Sequence, residues 1–253
     1  MDETTKKPYG TVLIRAKMIM DFLLGFNGTP TLKEISDGVK MSKPTTLKIL
    51  VTMEELGLVT RTEGSKQYAL GLSLLAFGQK AADSFNIGSL AAPVLERLRN
   101  ETNETINLGV ADQNMVVLLD KFESPRSVSL KSRIGGKMNL YSSSMGKAIL
   151  STWSAGQLSD YLQQTELKKI APNTITTAVG LAEDLETIRS RGYAIDDEEN
   201  EQDIYCVGFP LVAYGRVQGA FSVTAPKFRM DPDRRKKIIE LAKRAQTQVE
   251  KAF

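Results

Sequence analysis

Residues 31–57 read TLKEISDGVKMSKPTTLKILVTMEELG. Two helix starts follow one another here, and the short space between them leaves little choice of fold. Thr31 and Glu34 form a Thr-x-x-Glu capping box, in which each side chain satisfies an orphan backbone N–H. The helix begun there is expected to end near Gly38. Ser42 is a second N-cap residue, and Pro44 falls in the turn behind it, where its missing N–H costs little. Thr46, Ile49, Leu50 and Met53 then recur at helical spacing and define one buried face. Gly57 is the expected stop. Helices joined by so short a connection must turn sharply and pack on each other. Upstream, Val12, Ala16, Ile19, Phe22, Leu23 and Phe26 mark another helix over 11–26, which the turn residues NGTP terminate. Downstream, LVTR and QYALG read as two strands around the polar turn TEGSK. Three helices followed by a two-stranded wing form a winged helix-turn-helix, an arrangement that binds double-stranded DNA.

The letters on the opposite face of the third helix suit that use. With Thr46, Ile49, Leu50 and Met53 inward, Thr45, Lys48 and Thr52 point outward, and Ser42 and Lys43 stand at the leading end. Lys40, Lys43 and Lys48 lie in a stretch without an acid, and Glu54 and Glu55 sit at the far end. Arg61 and Lys66 flank the wing turn. Lysine and arginine contacts to phosphate set register, and side chains reaching base edges set sequence choice. Two other readings remain open at this level: a three-helix cap with a solvated lysine face, and a protein-interaction module. Net charge does not decide. Residues 1–83 carry 11 Lys/Arg against 9 Asp/Glu, and residues 84–253 carry 22 against 21.

The remaining chain divides into pieces. Residues 1–10 are expected to form a flexible tail, 11–71 the winged domain, 72–84 a linker helix and 85–253 a second domain. The junction is placed near Ser84, within a helical stretch whose weak points are Gly78, Gly88 and Pro93. Beyond it TINLGVA, MVVLLDKF, SVSLKS, CVGFPLVA and VQGAFSVTA read as strands. Helices are expected at Ser144–Ser151, Ala155–Gln164, Ala178–Arg191 and Asp233–Ala252. Runs of strands with a helix-rich middle point to an α+β domain around a mostly antiparallel sheet.

Some chemistry is excluded by what the chain lacks. It has no histidine and one cysteine, Cys206. Ser-His-Asp and Cys-His nucleophile pairs are therefore impossible, as are thiolate and mixed His/Cys zinc sites. The acid run DDEENEQD at 196–203 fails the calcium-loop pattern, because Glu201 stands at the sixth position and Val207 at the twelfth. YSSSMGKA fails the phosphate-loop pattern at Tyr141 and Ala148. Ser142, Ser143 and Ser144 are instead N-cap candidates, and Ser222 and Thr224 share one face of the last strand. Glu198 to Asp203 read as a solvated loop. No catalytic residue, metal or cofactor is expected. No apolar run approaches the roughly 20 residues of a membrane span. The polar N-terminus and the single cysteine fit a cytoplasmic protein.

The same stretches are similar to the IclR family of bacterial transcriptional regulators. TPTLKEISDGVKMSKPTTLKILVTMEELGLVTR with YALG resembles the family's DNA-binding domain. SRIGGKMNLYSSSMGKAIL, APNTIT, IRSRGYAIDDEENEQDIYCVGFPLV and GAFSVTAP resemble, in order, its effector domain. The resemblance implies a winged helix-turn-helix, a linker helix and a GAF-like effector domain. It implies a homodimer or dimer of dimers that binds operator DNA and answers to a small organic molecule, most commonly as a repressor. It further implies an effector site built from Met138, Ser143, Ser144, Met145, Gly146, Asp196, Cys206, Ser222 and Thr224. Tyr141 stands where the family commonly has histidine, and Lys48 where it often has arginine. The polar SSSM turn suits a sugar acid or small hydroxy acid.

Overall fold

The computed structural model describes residues 9–62, 64, 66–83, 87–126 and 132–253. Most of the expected tail, and the expected strand SVSLKS save Ser132, lie outside the described residues. The chain divides into two compact units, residues 1–84 and 85–253.

The first unit is the three-helix fold with a wing. Helices α1 (Thr11–Gly25), α2 (Leu32–Gly38) and α3 (Lys43–Glu55) precede strands β1 (Val59–Arg61) and β2 (Tyr68–Leu70), and α4 (Ser73–Asp83) follows. Both predicted starts form. The Thr31 N–H donates to Glu34 Oε2 at 2.7 Å, and the Glu34 N–H donates back to Thr31 Oγ1. Ser42 Oγ accepts from the Thr45 N–H. Ile19, Leu23, Ile35, Ile49, Leu50 and Met53 meet Val59 and Tyr68 in one core. Burying such side chains contributes roughly 1.5–3 kcal/mol apiece, which is what holds three short helices together.

The second unit begins with α5 (Ile87–Thr102), then β3 (Thr105–Asp112), β4 (Met115–Phe122) and β5 (Lys137–Asn139). Helices α6 (Ser144–Ser151), α7 (Ala155–Gln164) and α8 (Ala178–Arg191) follow. Strands β6 (Ala194–Asp197), β7 (Ile204–Ala213) and β8 (Arg216–Pro226) and helix α9 (Pro232–Glu250) complete it. The strands form one sheet in the order β5-β4-β3-β8-β7-β6, with every neighbouring pair antiparallel. The β7–β8 hairpin turns through Tyr214 and Gly215, both at positive φ (51° and 70°), a geometry that matches strand twist.

Alternation along the strands gives the sheet two different faces. Ile106, Leu108, Val207, Phe209, Phe221 and Val223 pack against α5 and α9 in one core. The other face carries Asn107, Cys206, Ser222 and Thr224, and Leu140, Met145, Ile149, Leu181 and Leu185 build a second core beside it. Helices therefore cover both faces of an antiparallel sheet, the α+β arrangement expected. Strands β5 and β6 were not legible from periodicity. Each has three or four residues, too few to show a repeat. No helix among the described residues is long and apolar enough to cross a membrane.

Candidate functional site

Two places gather the chemistry. The first is the outward face of α3 with the wing. Lys40, Ser42, Lys43, Lys48 and Thr52 are exposed and Thr45 is partly so, whereas Thr46, Ile49, Leu50 and Met53 are buried. Lys40 has φ 53°, so the chain reverses between the helices and leaves that ammonium outside. Ser42 and Thr45 are bonded to each other, Oγ to Oγ1 at 2.8 Å. Thr52 Oγ1 is turned back to the Lys48 carbonyl. The lysines are thus the side chains most available to a partner on this face. In the wing, Arg61 lies across the strands from Tyr68, its guanidinium 5.8 Å from the ring centroid. Lys66 is exposed at positive φ beside the wing turn.

The second place is a small pocket in the C-terminal unit, with a cavity volume of about 50 Å³. Its floor is two neighbouring rungs of the sheet. One rung runs Thr105, Thr224, Cys206, Asp196; the next runs Asn107, Ser222, Gly208, Ala194. Hydroxyls, a thiol, an amide and a carboxyl thereby stand side by side on four strands. Ser222 Oγ and Thr224 Oγ1 are 3.2 Å apart, Asn107 Nδ2 donates to Thr224 Oγ1, and Ser132 Oγ donates to Asn107 Oδ1.

The start of α6 forms the roof. Ser143 caps the helix by accepting from the Gly146 N–H at 3.1 Å, and donates to the Asn139 carbonyl. Two glycines let this helix start lie close to its supports. A Cβ on Gly208 would come within 2.4 Å of the Ser144 carbonyl, and one on Gly146 within 2.4 Å of the Leu140 backbone. Met138, Ser143, Ser144, Met145, Asp196, Cys206, Ser222 and Thr224 all line the pocket. Gly146, expected among them, does not. Its role is the close backing of α6 onto Leu140.

The pocket also uses residues that sequence reasoning missed. Asn107, Asn200, Glu201 and Ile204 line it, as does Ser132. Behind it lies a buried ionic cluster. Lys147 on α6 is fully buried and its ammonium bonds Glu199 at 2.7 and 2.5 Å and Asp184 at 2.7 Å. The expectation of a solvated loop from Glu198 to Asp203 is corrected here, since Glu199 is buried and paired. Asp196 Oδ1 accepts the N–H groups of Glu199 and Asn200. The APNTIT segment then straps the turn from outside. Asn173 bonds the carbonyls of Asp197 and Glu198, and Thr174 Oγ1 donates to that of Glu199 at 2.6 Å. The nearest thing to a signal is the apolar setting of Lys147 in SMGKAIL, which does not name its partners 37 and 52 residues away.

Burial dominates the electrostatics. It pushes Asp196 up to about 6 and Glu199 to about 7, against the pull of Lys147 and, at Asp196, of the two N–H donors. The Cys206 thiol is raised well above its usual range by burial and by Asp196 next to it. A thiol so raised is a poor nucleophile. Among the described residues no group of three or more His, Cys, Asp or Glu is placed to hold a metal ion.

The pattern described as bacterial transcriptional regulator IclR C-terminal matches residues 79–251, and the IclR helix-turn-helix domain matches residues 12–63. The chain belongs to the IclR family of bacterial transcriptional regulators. It is similar to the DNA-binding transcriptional repressor YiaJ of Escherichia coli (strain K12), with 33% identity over 237 residues, 91% of this chain and 83% of that protein. It is similar to the HTH-type transcriptional regulator KdgR of the same organism, 31% identical over 209 residues, 82% of this chain and 80% of the other. The crystal structure of the Thermotoga maritima IclR superposes with a TM-score of 0.81 at 33% identity, over 95% of this chain and 98% of that one. These IclR relatives are named as regulators and repressors, not enzymes. The DNA-binding reading of the first unit follows from membership, and Cys206 is accounted for as a pocket wall.

Proposed function

We propose that this chain is a transcriptional repressor whose hold on double-stranded operator DNA is set by a small organic acid bound in the C-terminal pocket. The observation that carries the reading is the convergence of eight residues, drawn from β5, α6, β6, β7 and β8, on one cavity. Hydroxyl and amide groups dominate its polar lining, which suits a hydroxy acid or sugar acid. Lys40, Ser42, Lys43, Thr45, Lys48, Thr52, Arg61 and Lys66 face the DNA in this reading. Lysine and arginine carry most of the phosphate contact, because Ser42 and Thr45 are engaged with each other. The protein acts in the cytoplasm as a homodimer or dimer of dimers. Support for assembly comes from apolar side chains left exposed on α1 and α4, among them Leu13, Met18, Leu75 and Phe77. Dimeric readers of this type meet half-sites about 34 Å apart, so modest shifts between protomers change affinity.

Two expected results test the reading. Lys48→Ala should weaken operator binding while leaving the urea unfolding midpoint unchanged. If the lysine meets phosphate, the slope of log affinity against log salt falls by about 1. A mobility-shift titration with unaltered affinity and slope would remove Lys48 from the interface. Ser222→Ala and Asp196→Ala should reduce binding of the organic acid by calorimetry more than they reduce affinity for bare operator. Equal acid binding by wild type and both variants would place the effector elsewhere.

A further inference from the structure

The pocket suits an acid in every respect but charge. Its cavity measures about 50 Å³, so a bound carboxylate lies close to every wall. The roof supplies donors. Ser144 and Met145 stand in the first turn of α6, where backbone N–H groups have no acceptor within the helix. Ser222 and Thr224 add hydroxyls. All of these groups are neutral. Among the described residues no lysine or arginine lines the cavity, whereas two acids do, Asp196 and Glu201. Asp196 is buried. On β7 it is paired with Cys206, whose thiol donates to the carboxyl. In the turn that follows, the Glu199 and Asn200 N–H groups both donate to Oδ1, which leaves Oδ2 to carry a proton. From α6 comes Lys147, but its ammonium is bonded to Glu199 and to Asp184 of α8. Arg191 lies beyond, 3.9 Å from Asp184, and Lys227 is turned to Asp197 and Glu198. Acids therefore outnumber cations around Asp196 before any ligand enters.

We propose that the pocket takes up its acid together with one proton, which settles on Asp196 and lets that carboxyl donate a hydrogen bond to the bound ligand. The proposal rests on the reading of this pocket as the effector site and adds a condition of charge to it. Two carboxylates confined in one small cavity do not both stay ionised without a cation between them, and one of them takes a proton. Asp196 is the one placed to do so. Burial already holds it near 6, above its ordinary range. A second negative charge beside it moves it further up. The protonated carboxyl then meets the ligand through an O–H···O⁻ bond, a short and strong kind. The sign of the pH dependence follows. Below about 6, Asp196 holds its proton with or without ligand, and acid affinity is level. Above it, each binding event draws a proton from solution, and affinity falls about tenfold per pH unit. The same concentration of acid then fills the site more fully as the medium becomes more acidic.

The test is calorimetry on the full-length protein with glycolate, D-lactate and D-glycerate. Titrations in phosphate and in Tris at about pH 7.5 differ in buffer ionisation enthalpy, and should report close to one proton taken up per acid bound. The dissociation constant should rise about tenfold between about pH 7 and 8. The neutral D-lactamide should show neither effect. Asp196→Asn offers the ligand a donor with no proton to gain. It should bind the acids without proton uptake and with level affinity across pH, tighter than wild type in mild alkali. Acid binding that Ser222→Ala weakens, but that proceeds in wild type without proton uptake, overturns the proposal and leaves the pocket reading standing. Uptake that persists in Asp196→Asn overturns the assignment to Asp196. Acid affinity unchanged in Ser222→Ala overturns the pocket reading itself. Failure of all three acids to bind wild type at millimolar concentration in mild acid overturns both.

Discussion

Lys147→Met should lower the unfolding free energy by roughly 3–5 kcal/mol near neutral pH. Methionine fills the space, so the loss comes from charge and not from a cavity. Glu199 and Asp184 would be left sharing a buried region without the ammonium that now contacts both. The pH dependence follows from the directions of the shifts. Burial holds Glu199 near 7 and Asp196 near 6, against ordinary values of 4.5 and 3.8. The folded protein therefore takes up these protons before the unfolded chain does. Stability contributed in this way is fully present below the ordinary carboxylate range and is lost as pH rises through 6 and 7. Wild type should accordingly be more stable at pH near 5 than near 8, as far as these two groups decide. In Lys147→Met that difference should widen, and adding Glu199→Gln should restore part of the loss. Urea unfolding at the two pH values measures all three chains. A wild-type midpoint for Lys147→Met in mild alkali would show that the cluster does not bear on stability.

Gly208→Ala is the second large effect expected, about 1–3 kcal/mol of destabilisation with loss of ligand binding. The new methyl would meet the Ser144 carbonyl carbon and oxygen at 2.4 Å and the Met145 nitrogen at 2.8 Å. These are backbone atoms at the start of a helix, so no side-chain rotation relieves the clash. The helix start must lift from the sheet, and the pocket roof lifts with it. Gly156→Ala is the contrasting case. Gly156 lies in α7 with nothing within 4 Å of its missing Cβ, and the change should add roughly 0.5–1 kcal/mol. Chemical denaturation of both variants separates a specific close approach from a general effect of removing glycine. Unchanged stability and ligand binding in Gly208→Ala would mean that α6 is not seated on β7 as described.

Local signals made much of this architecture legible. The box at Thr31 and Glu34, the caps at Ser42 and Ser143 and the i, i+3, i+4 face of α3 are all encoded within a few residues. So is the alternation that separates Ser222 and Thr224 from Phe221 and Val223. What could not be read depends on partners distant in sequence. Lys147 taken alone resembles any helical lysine with its head in water, and Glu199 taken alone is one acid of a hydrophilic run. They meet across 52 residues of chain, and neither neighbourhood announces the other. Asn107 and Asn200 escaped notice for the same reason, because an amide gains meaning only from what it faces. Gly146 shows the same dependence, since its close approach to Leu140 is visible only when that neighbour is in place.

Strand β8 has a last consequence. Its even-numbered Ser222 and Thr224 line the cavity, and its odd-numbered Phe221 and Val223 carry the opposite core, where the Phe221 ring stacks on Phe209 at 5.4 Å. Only one layer of backbone separates the two. A bound effector that drew Ser222 by a fraction of an ångström would tilt the same peptide planes that aim Phe221 at the core with α5 and α9. Helix α5 is also where the C-terminal unit begins. In the proposed repressor, news of occupancy would need no hinge and no route around the sheet's edge: it would pass through the sheet's thickness, as pressure on a drumhead is felt on the other side.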